Sequence, residues 1–395
     1  MSGRDSGGGR GVACAAGMLA GLRCPSLSCP VCMSLPSPDA ATPAAPAPRL
    51  VSGAAFALGA GLMWGLVFVT PLLLPEYPPL LLSMGRYVAF GLIALALGLA
   101  DRRQLRALSR ADWLEALKLS AVGNLLYYLL LSSAIQRAGG PLPTMIIGTL
   151  PVVIAVCSNR RDAARDGRLP WRRLLPSLAL IAAGIALVNK VELDALSAAA
   201  ATQAGQGGGD GSPALRRYAQ GALLGLGALV CWTWYPIRNA DWLRAHPDRQ
   251  PRTWATAQGL ATLPLAAAGF ALSWALMAAS PDLAQAITGT APGAAPFALP
   301  LGPRPGAYLA AMATMGLLAS WAGTLCWNEA SQRLPTTLVG QLIVFETLSA
   351  LTFAFLLRGH WPAPLTGLGI ALLIAGVAWA LRATPEPLAA EGHAG

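Results

Sequence analysis

From Leu50 onward the chain alternates long apolar runs with short polar connections. The runs are about 17 to 25 residues long, which carries a helix across a hydrocarbon core of about 30 Å at about 1.5 Å per residue. Ten such runs are predicted, at 50–74, 79–100, 113–135, 141–157, 173–189, 219–237, 253–278, 306–332, 335–357 and 361–381. Pro151, Pro236 and Pro264 fall inside them, as membrane helices tolerate when neighbours satisfy the freed carbonyls. Residues 1–49 are rich in Gly, Ser, Pro and Ala, hold no spanning run and are expected to be a disordered tail, as is 383–395. Met33 opens a more ordinary leader, so the residues before it are expected to reflect a start codon assigned too early; mass spectrometry of the natural N-terminus checks this.

The polar positions between the runs carry topology. With the N-terminus placed in the cytoplasm, one set of connections holds Arg102, Arg103, Arg106, Arg110, Arg160, Arg161, Arg165, Arg168, Arg172, Arg173, Arg238, Arg244, Arg249, Arg252, Arg333 and Arg382. The other holds Arg137, Lys190, Arg216, Arg217, Arg304 and Arg358. Basic residues are retained on the cytoplasmic side, so the larger set is expected inside and both termini with it. A shift of the segmentation by one helix would scramble the alternation. The connections near 190–218 and 279–305 are Ala, Gly and Pro rich and read as flexible loops, with 191–218 as the linker between two halves.

Composition excludes several classes. Hydrophobic residues make up 55% of 395 and charged residues 12%, too little polar surface to dissolve a globular fold of this size. The net charge of +10 is spread between apolar runs rather than gathered on one basic face, which argues against nucleic acid as a partner. Cys157, Cys231 and Cys326 each sit alone in an apolar run. Cys29-Pro-Val-Cys32 lacks a second pair and a nearby histidine, so neither a metal nor a cofactor is expected. His246, His360 and His393 lie in connections or the tail, and no phosphate-binding glycine loop occurs, so enzymatic or ATP-driven activity is not expected.

The two halves resemble each other. Leu58-Gly59-Ala60 with Trp64 recurs as Leu226-Gly227-Ala228 with Trp232, and Ala134, Gln136 and Arg137 recur as Ala330, Gln332 and Arg333. Leu180 to Gly184 likewise resembles Leu373 to Gly376. Five spans per half is an odd number, so the repeat is inverted, an arrangement common in secondary transporters with a binding site at the midplane.

These features, with Trp64-Gly65, Gly85-Arg86-Tyr87, the Asn124 to Arg137 stretch leading to Leu150-Pro151, Val344-Phe345-Glu346 and Gly367 to Gly376, resemble the drug/metabolite transporter superfamily, in its branch of two EamA-type repeats. The resemblance covers about residues 50 to 382, with 50–190 as the first repeat and 219–382 as the second. It implies an all-α membrane protein of ten transmembrane helices in two inverted five-helix repeats, in a bacterial inner membrane. The implied activity is gradient-driven efflux or exchange of metabolites, amino acids or drugs. Where many members carry proline after the ninth-helix glutamate, Thr347 follows Glu346 here.

Within the spans, Glu346 falls near the bilayer midplane, where an acidic group costs about 2.5–3.5 kcal/mol to insert and should face a cavity or a partner. A proton carrier and a structural hydrogen bond are both open for it. Arg86 is the only basic residue within the second span; snorkelling or a structural ion pair is the simpler role and substrate contact the alternative. Asn124, Tyr128 and Ser132 share one face of the third span, with Tyr127 adjacent, and Trp321, Thr324, Asn328 and Gln332 share one face of the eighth. The two stripes are expected to line a central cavity, against ordinary interhelical bonding as the alternative. Trp64, Trp232, Trp234 and Tyr235 could clamp an aromatic solute, and Gln341 and Ser349 join Glu346. Trp113, Trp171, Trp242 and Trp361 read as interfacial anchors. The expected partners are a small-molecule substrate, the lipid bilayer and protons as coupling ion, with a homodimer left open. The competing class is a non-transporting membrane protein, lipid-handling or sensory, on a transporter fold.

Overall fold

The computed structural model describes residues 50–139, 141–161, 170–204, 212–280, 297–298, 300–359 and 363–381, and every regular element among them is helical. The helices are α1 (Leu50–Trp64), α2 (Leu66–Leu73), α3 (Pro79–Ala100), α4 (Arg102–Arg106), α5 (Arg110–Leu119), α6 (Tyr127–Ala138), α7 (Pro141–Ile147) and α8 (Leu150–Arg161). There follow α9 (Trp171–Ala204), α10 (Ser212–Ala245), α11 (Pro251–Ala279), α12 (Pro305–Thr314), α13 (Gly323–Arg333), α14 (Thr336–Leu342), α15 (Val344–Arg358) and α16 (Pro364–Leu381). Between α5 and α6 the chain widens into a π-helical segment, Ser120–Leu126, and between α12 and α13 into another, Met315–Ala322.

Local chemistry sets the boundaries. Pro79 opens α3 at a position whose N–H would be unbonded in any case. Ser109 and Asp112 close a capping box at the start of α5, each bonding the other's backbone N–H. Gly359 ends α15 in the left-handed conformation, at φ +66°, a backbone geometry that L side chains rarely adopt even though nothing lies within 4 Å of the Cβ position.

Among the described residues, six stretches are long and apolar enough to cross a membrane: Leu50–Leu73, Pro79–Ala100, Arg110–Ala138, Pro251–Ala279, Pro305–Arg333 and Leu338–Leu357. The other four predicted runs differ for visible reasons. The fourth is interrupted by a turn at Gly148 and Thr149 between α7 and α8. The fifth and tenth contribute shorter apolar stretches, Leu174–Leu187 and Pro364–Gly376, and the sixth lies in α10 between Arg216, Arg217 and Arg238. Residues 191–218, expected as a flexible linker, are largely helical: α9 runs to Ala204 and α10 begins at Ser212. The alanine-rich sequence accounts for the extension, since alanine has the highest helix propensity. The tails at 1–49 and 383–395 lie outside the described residues.

The distribution of polarity is that of a body in lipid. Leu92, Leu99, Leu223, Val230, Leu272 and Leu356 are exposed, while Ser83, Asn239, Gln258, Thr262, Asn328 and Glu346 are buried. Helices distant in sequence pack together: α3 lies along α11, α9 along α16, and α8 against α14. In the same way α6 lies along α10 as α1 lies along α13. The connections separate into two ends. At one, Glu115 pairs with Arg238 at 2.5 Å, Asp101 with Arg252 at 3.0 Å and Asp241 with Arg161 at 2.6 Å. At the other, Arg304 pairs with Glu76 at 2.5 Å, the Tyr77 hydroxyl donates to the Leu301 carbonyl at 2.8 Å, and Arg217 reaches the Gln136 carbonyl at 3.3 Å.

Candidate functional site

The deepest ionisable group on α15 sits just past a helix break. The ladder is interrupted at Ile343, and the Glu346 N–H bonds the Ile343 carbonyl at 3.0 Å in a tightened turn. Glu346 is 1% exposed. Its carboxylate accepts from Trp232 Nε1 at 3.1 Å and from the Tyr127 hydroxyl at 3.5 Å. Two glycines one turn apart, Gly61 on α1 and Gly65 just beyond its end, let the backbone of α15 come this close. A Cβ on Gly61 would lie 2.9 Å from the Glu346 nitrogen, and one on Gly65 2.6 Å from Ser349 Cβ.

Aromatic rings wall the carboxylate. Trp232 is stacked between Tyr127 and Tyr235, with centroids at 4.4 and 5.2 Å. Trp64 meets Trp232 edge-on at 4.9 Å and Trp327 at 5.2 Å. Trp64 Nε1 donates to the Ala319 carbonyl at 2.8 Å, and Ser83 Oγ to the Leu125 carbonyl at 3.1 Å. Each acceptor lies in one of the π-helical segments, where the widened turn loosens the regular ladder. The register that lays Gln136 on Gln332 lays Ser120–Leu126 on 316–322, so the two π-helical segments coincide in that register.

Arg86 is 4% exposed, so it does not snorkel, and no carboxylate lies within ion-pair distance among the described residues. Its Nε donates to Ser320 Oγ at 2.9 Å, and its guanidinium lies 4.6 Å from the Tyr128 ring centroid and 4.9 Å from that of Tyr87. Snorkelling therefore fails, because the α3 crossing buries the side chain against the second π-helical segment instead of leading it outward, and the charge of Arg86 acts on Glu346 from beyond direct ion-pair distance.

The polar stripes divide. Asn124 is buried in the first π-helical segment with Nδ2 unpartnered. Ser132 turns back onto the Tyr128 carbonyl at 2.6 Å, an intrahelical bond. Asn328 is fully engaged: it accepts from Asn239 Nδ2 at 2.8 Å and donates to the Pro251 carbonyl at 3.2 Å. Asn239 Oδ1 in turn accepts from Trp254 Nε1 and Gln258 Nε2, while Tyr235 donates to Gln258 Oε1 at 2.8 Å. This network ties α10, α11 and α13 together; Thr324 is buried beside Tyr235, and Trp321 Nε1 reaches Thr256 Oγ1 at 3.3 Å. Gln332 is exposed and reaches the Arg249 carbonyl at 3.3 Å. Gln341 is buried with both amide atoms unpartnered, and Ser349 bonds the Phe345 carbonyl at 2.8 Å. Pro236, Ala240, Arg244, Trp327, Ser331 and Thr336, among others, line a crevice whose accessible volume is about 0 Å³.

Two aromatic expectations are corrected. Trp234 is 36% exposed, because it points away from Trp232 and Tyr235 around α10. Trp242 is no interfacial anchor: it is buried, stacks on Trp254 and donates to Asp112 at 2.9 Å. Trp361 lies outside the described residues. Sequence reasoning missed Trp327, Asn239, Gln258 and Trp254. Asn239 and Gln258 were legible as amides within or beside apolar runs; Trp327 and Trp254 carry no signal apart from core aromatics.

The EamA-like transporter family matches residues 51–190. Inner membrane protein YtfF of Escherichia coli (strain K12) is 49% identical over 341 residues, covering 85% of this chain and 97% of YtfF. The chain belongs to the EamA-like transporter family. A solved crystal structure, 19% identical, covers 83% of this EamA-family chain and 97% of its own with a TM-score of 0.56, a likeness of fold alone. The departure at Thr347 leaves a helix break in place within this EamA-family protein, set one turn earlier at Ile343.

Proposed function

We propose that this EamA-family membrane protein is a secondary transporter of a small solute, built of ten spans in two inverted halves and working by alternating access around Glu346. The observation that carries the reading is a buried carboxylate held by donors from both halves, Tyr127 from the first and Trp232 from the second. Rocking of one half against the other must then alter the partners of that carboxylate, which is what couples an ion to a solute. The exchanged helix pairing and the matched π-helical segments support the two inverted halves. The excess of Arg in the connections around 102–110, 160–173 and 238–252 supports placing that end in the cytoplasm, with the chain in an inner membrane as YtfF is named. Glu346 carries the proton, and Trp64, Trp232, Tyr235 and Trp327 form the wall that the solute meets.

Reconstitution in liposomes with an imposed pH gradient and a panel of amino acids, metabolites and cationic drugs tests the reading. Wild type should accumulate at least one solute only when the gradient is present, and Glu346→Gln should lose that dependence. Unchanged gradient-driven transport by Glu346→Gln removes the proton role, and absence of transport of any kind favours the non-transporting class.

A further inference from the structure

Arg86 presents an unusual balance of contacts for a buried charge. Removing a guanidinium from water is costly unless other groups replace its hydration, and here the replacement is partial. Two tyrosine faces and one serine hydroxyl are supplied, but Nη1 is buried with no acceptor. A guanidinium offers five donors and accepts nothing, so only an oxygen-rich or anionic group completes it.

A second donor waits at the same crossing. Ser83, one turn before Arg86 on α3, bonds the carbonyl of Leu125, the neighbour of Asn124. Tyr128, one turn beyond Asn124, lies under the guanidinium. Asn124 Nδ2 is also buried without an acceptor. The crossing is bounded by both π-helical segments, Asn124 standing in one and Ser320 in the other. In the register that matches the halves, these two residues are counterparts. Arg86 Nη1 and Asn124 Nδ2 are thus two buried donors without an acceptor at one helix crossing, and among the described residues no carboxylate lies within ion-pair reach of Arg86 to complete it.

We infer that Arg86, with Asn124 beside it, is the subsite for the acid group of the transported solute, which is therefore a carboxylate-bearing organic molecule. The inference rests on the transport reading above and adds the solute's class to it. A carboxylate would receive paired hydrogen bonds from the guanidinium fork, a geometry that an ammonium cannot reproduce. Its arrival also neutralises the buried charge, so loading the solute lowers the cost of moving the crossing.

Binding can be read without transport, through thermal unfolding of the detergent-purified full chain. The probes are benzoate against benzamide and succinate against succinamide, with sodium chloride as a separate arm. At least one acid should raise the wild-type midpoint where its amide does not. Arg86→Gln should abolish that difference, and Arg86→Lys, which keeps the charge without the fork, should retain a smaller one. Equal effects of acid and amide on wild type overturn the inference, as does an acid effect that survives in Arg86→Gln. Should gel filtration show Arg86→Gln misfolded, an undiminished effect in Arg86→Lys overturns it instead. A shift reproduced in full by chloride assigns the crossing to an inorganic anion and overturns the solute class. Acid binding without any transport in liposomes would strike the transport reading alone, whereas transport without acid binding would strike only this subsite.

Discussion

Glu346 and Arg86 are both buried charges within the spans, yet the fold treats them differently. Glu346 is wrapped by donors that the protein supplies, an indole N–H and a phenol, inside a continuous aromatic wall. Arg86 is wrapped by rings and one hydroxyl, and part of its donor capacity is left unused. A group satisfied within the structure stabilises the conformation seen here, and a group left short of partners favours whatever completes it. The difference marks Glu346 as the element that holds this state and Arg86 as the one that awaits a ligand.

Three changes test that contrast. The largest effect should come from Gly61→Val, which forces side-chain atoms into the backbone at Phe345 and Glu346. A loss of about 1–3 kcal/mol is expected for such overpacking, read as a lowered unfolding midpoint, together with loss of gradient-dependent transport. A wild-type midpoint would mean that the α1–α15 approach does not set the position of Glu346. Next, Trp232→Phe and Arg86→Met should move in opposite directions. The first removes a donor to a buried carboxylate and should destabilise by about 1–3 kcal/mol. The second replaces an incompletely satisfied buried cation by an apolar chain of similar length and should leave stability equal or higher. Destabilisation by Arg86→Met comparable to that of Trp232→Phe would erase the distinction.

The smallest effect concerns a charge pair outside the spans, where pairing is direct. The hydrogen bond from the Arg304 guanidinium holds the Glu76 carboxyl below its ordinary range, against the opposing pull of desolvation. Because the folded carboxyl titrates below its unfolded value, the stabilisation is complete above that unfolded value and fades as pH falls through the folded one. The difference in midpoint between wild type and Glu76→Gln should therefore be slight near neutrality and vanish in acid. A difference that grows on acidification would contradict the pairing. Both side chains are partly exposed, so water and salt screen the pair.

Much of this protein was legible as a string. Run length and hydropathy fix an all-helical body in lipid, because a backbone in hydrocarbon must satisfy its own hydrogen bonds and a helix of about 20 residues does so. The placement of arginines sorts the connections into two sets, and the likeness of Trp64 to Trp232 and of Gln136 to Gln332 is what suggests the two halves proposed above. A glutamate at mid-span announces itself by its insertion cost alone. The α9 and α10 extensions were less visible, since an alanine-rich stretch can read as either loop or helix until packing decides.

What the tertiary structure alone decided is which of the marked residues face one another, and with what left over. Asn124 and Asn328 look alike as intramembrane amides, but one keeps an idle donor while the other closes a three-helix network with Asn239 and Gln258. Trp234 and Trp232 are two residues apart, and only the rotation of α10 against its neighbours sends one outward and the other onto Glu346. The π-helical segments carry no residue signature, because a widened turn arises from how a helix meets its neighbours. Composition and spacing specify where a chain enters and leaves the bilayer; hydrogen-bond satisfaction is a property of pairs, and pairs exist only once the helices have met.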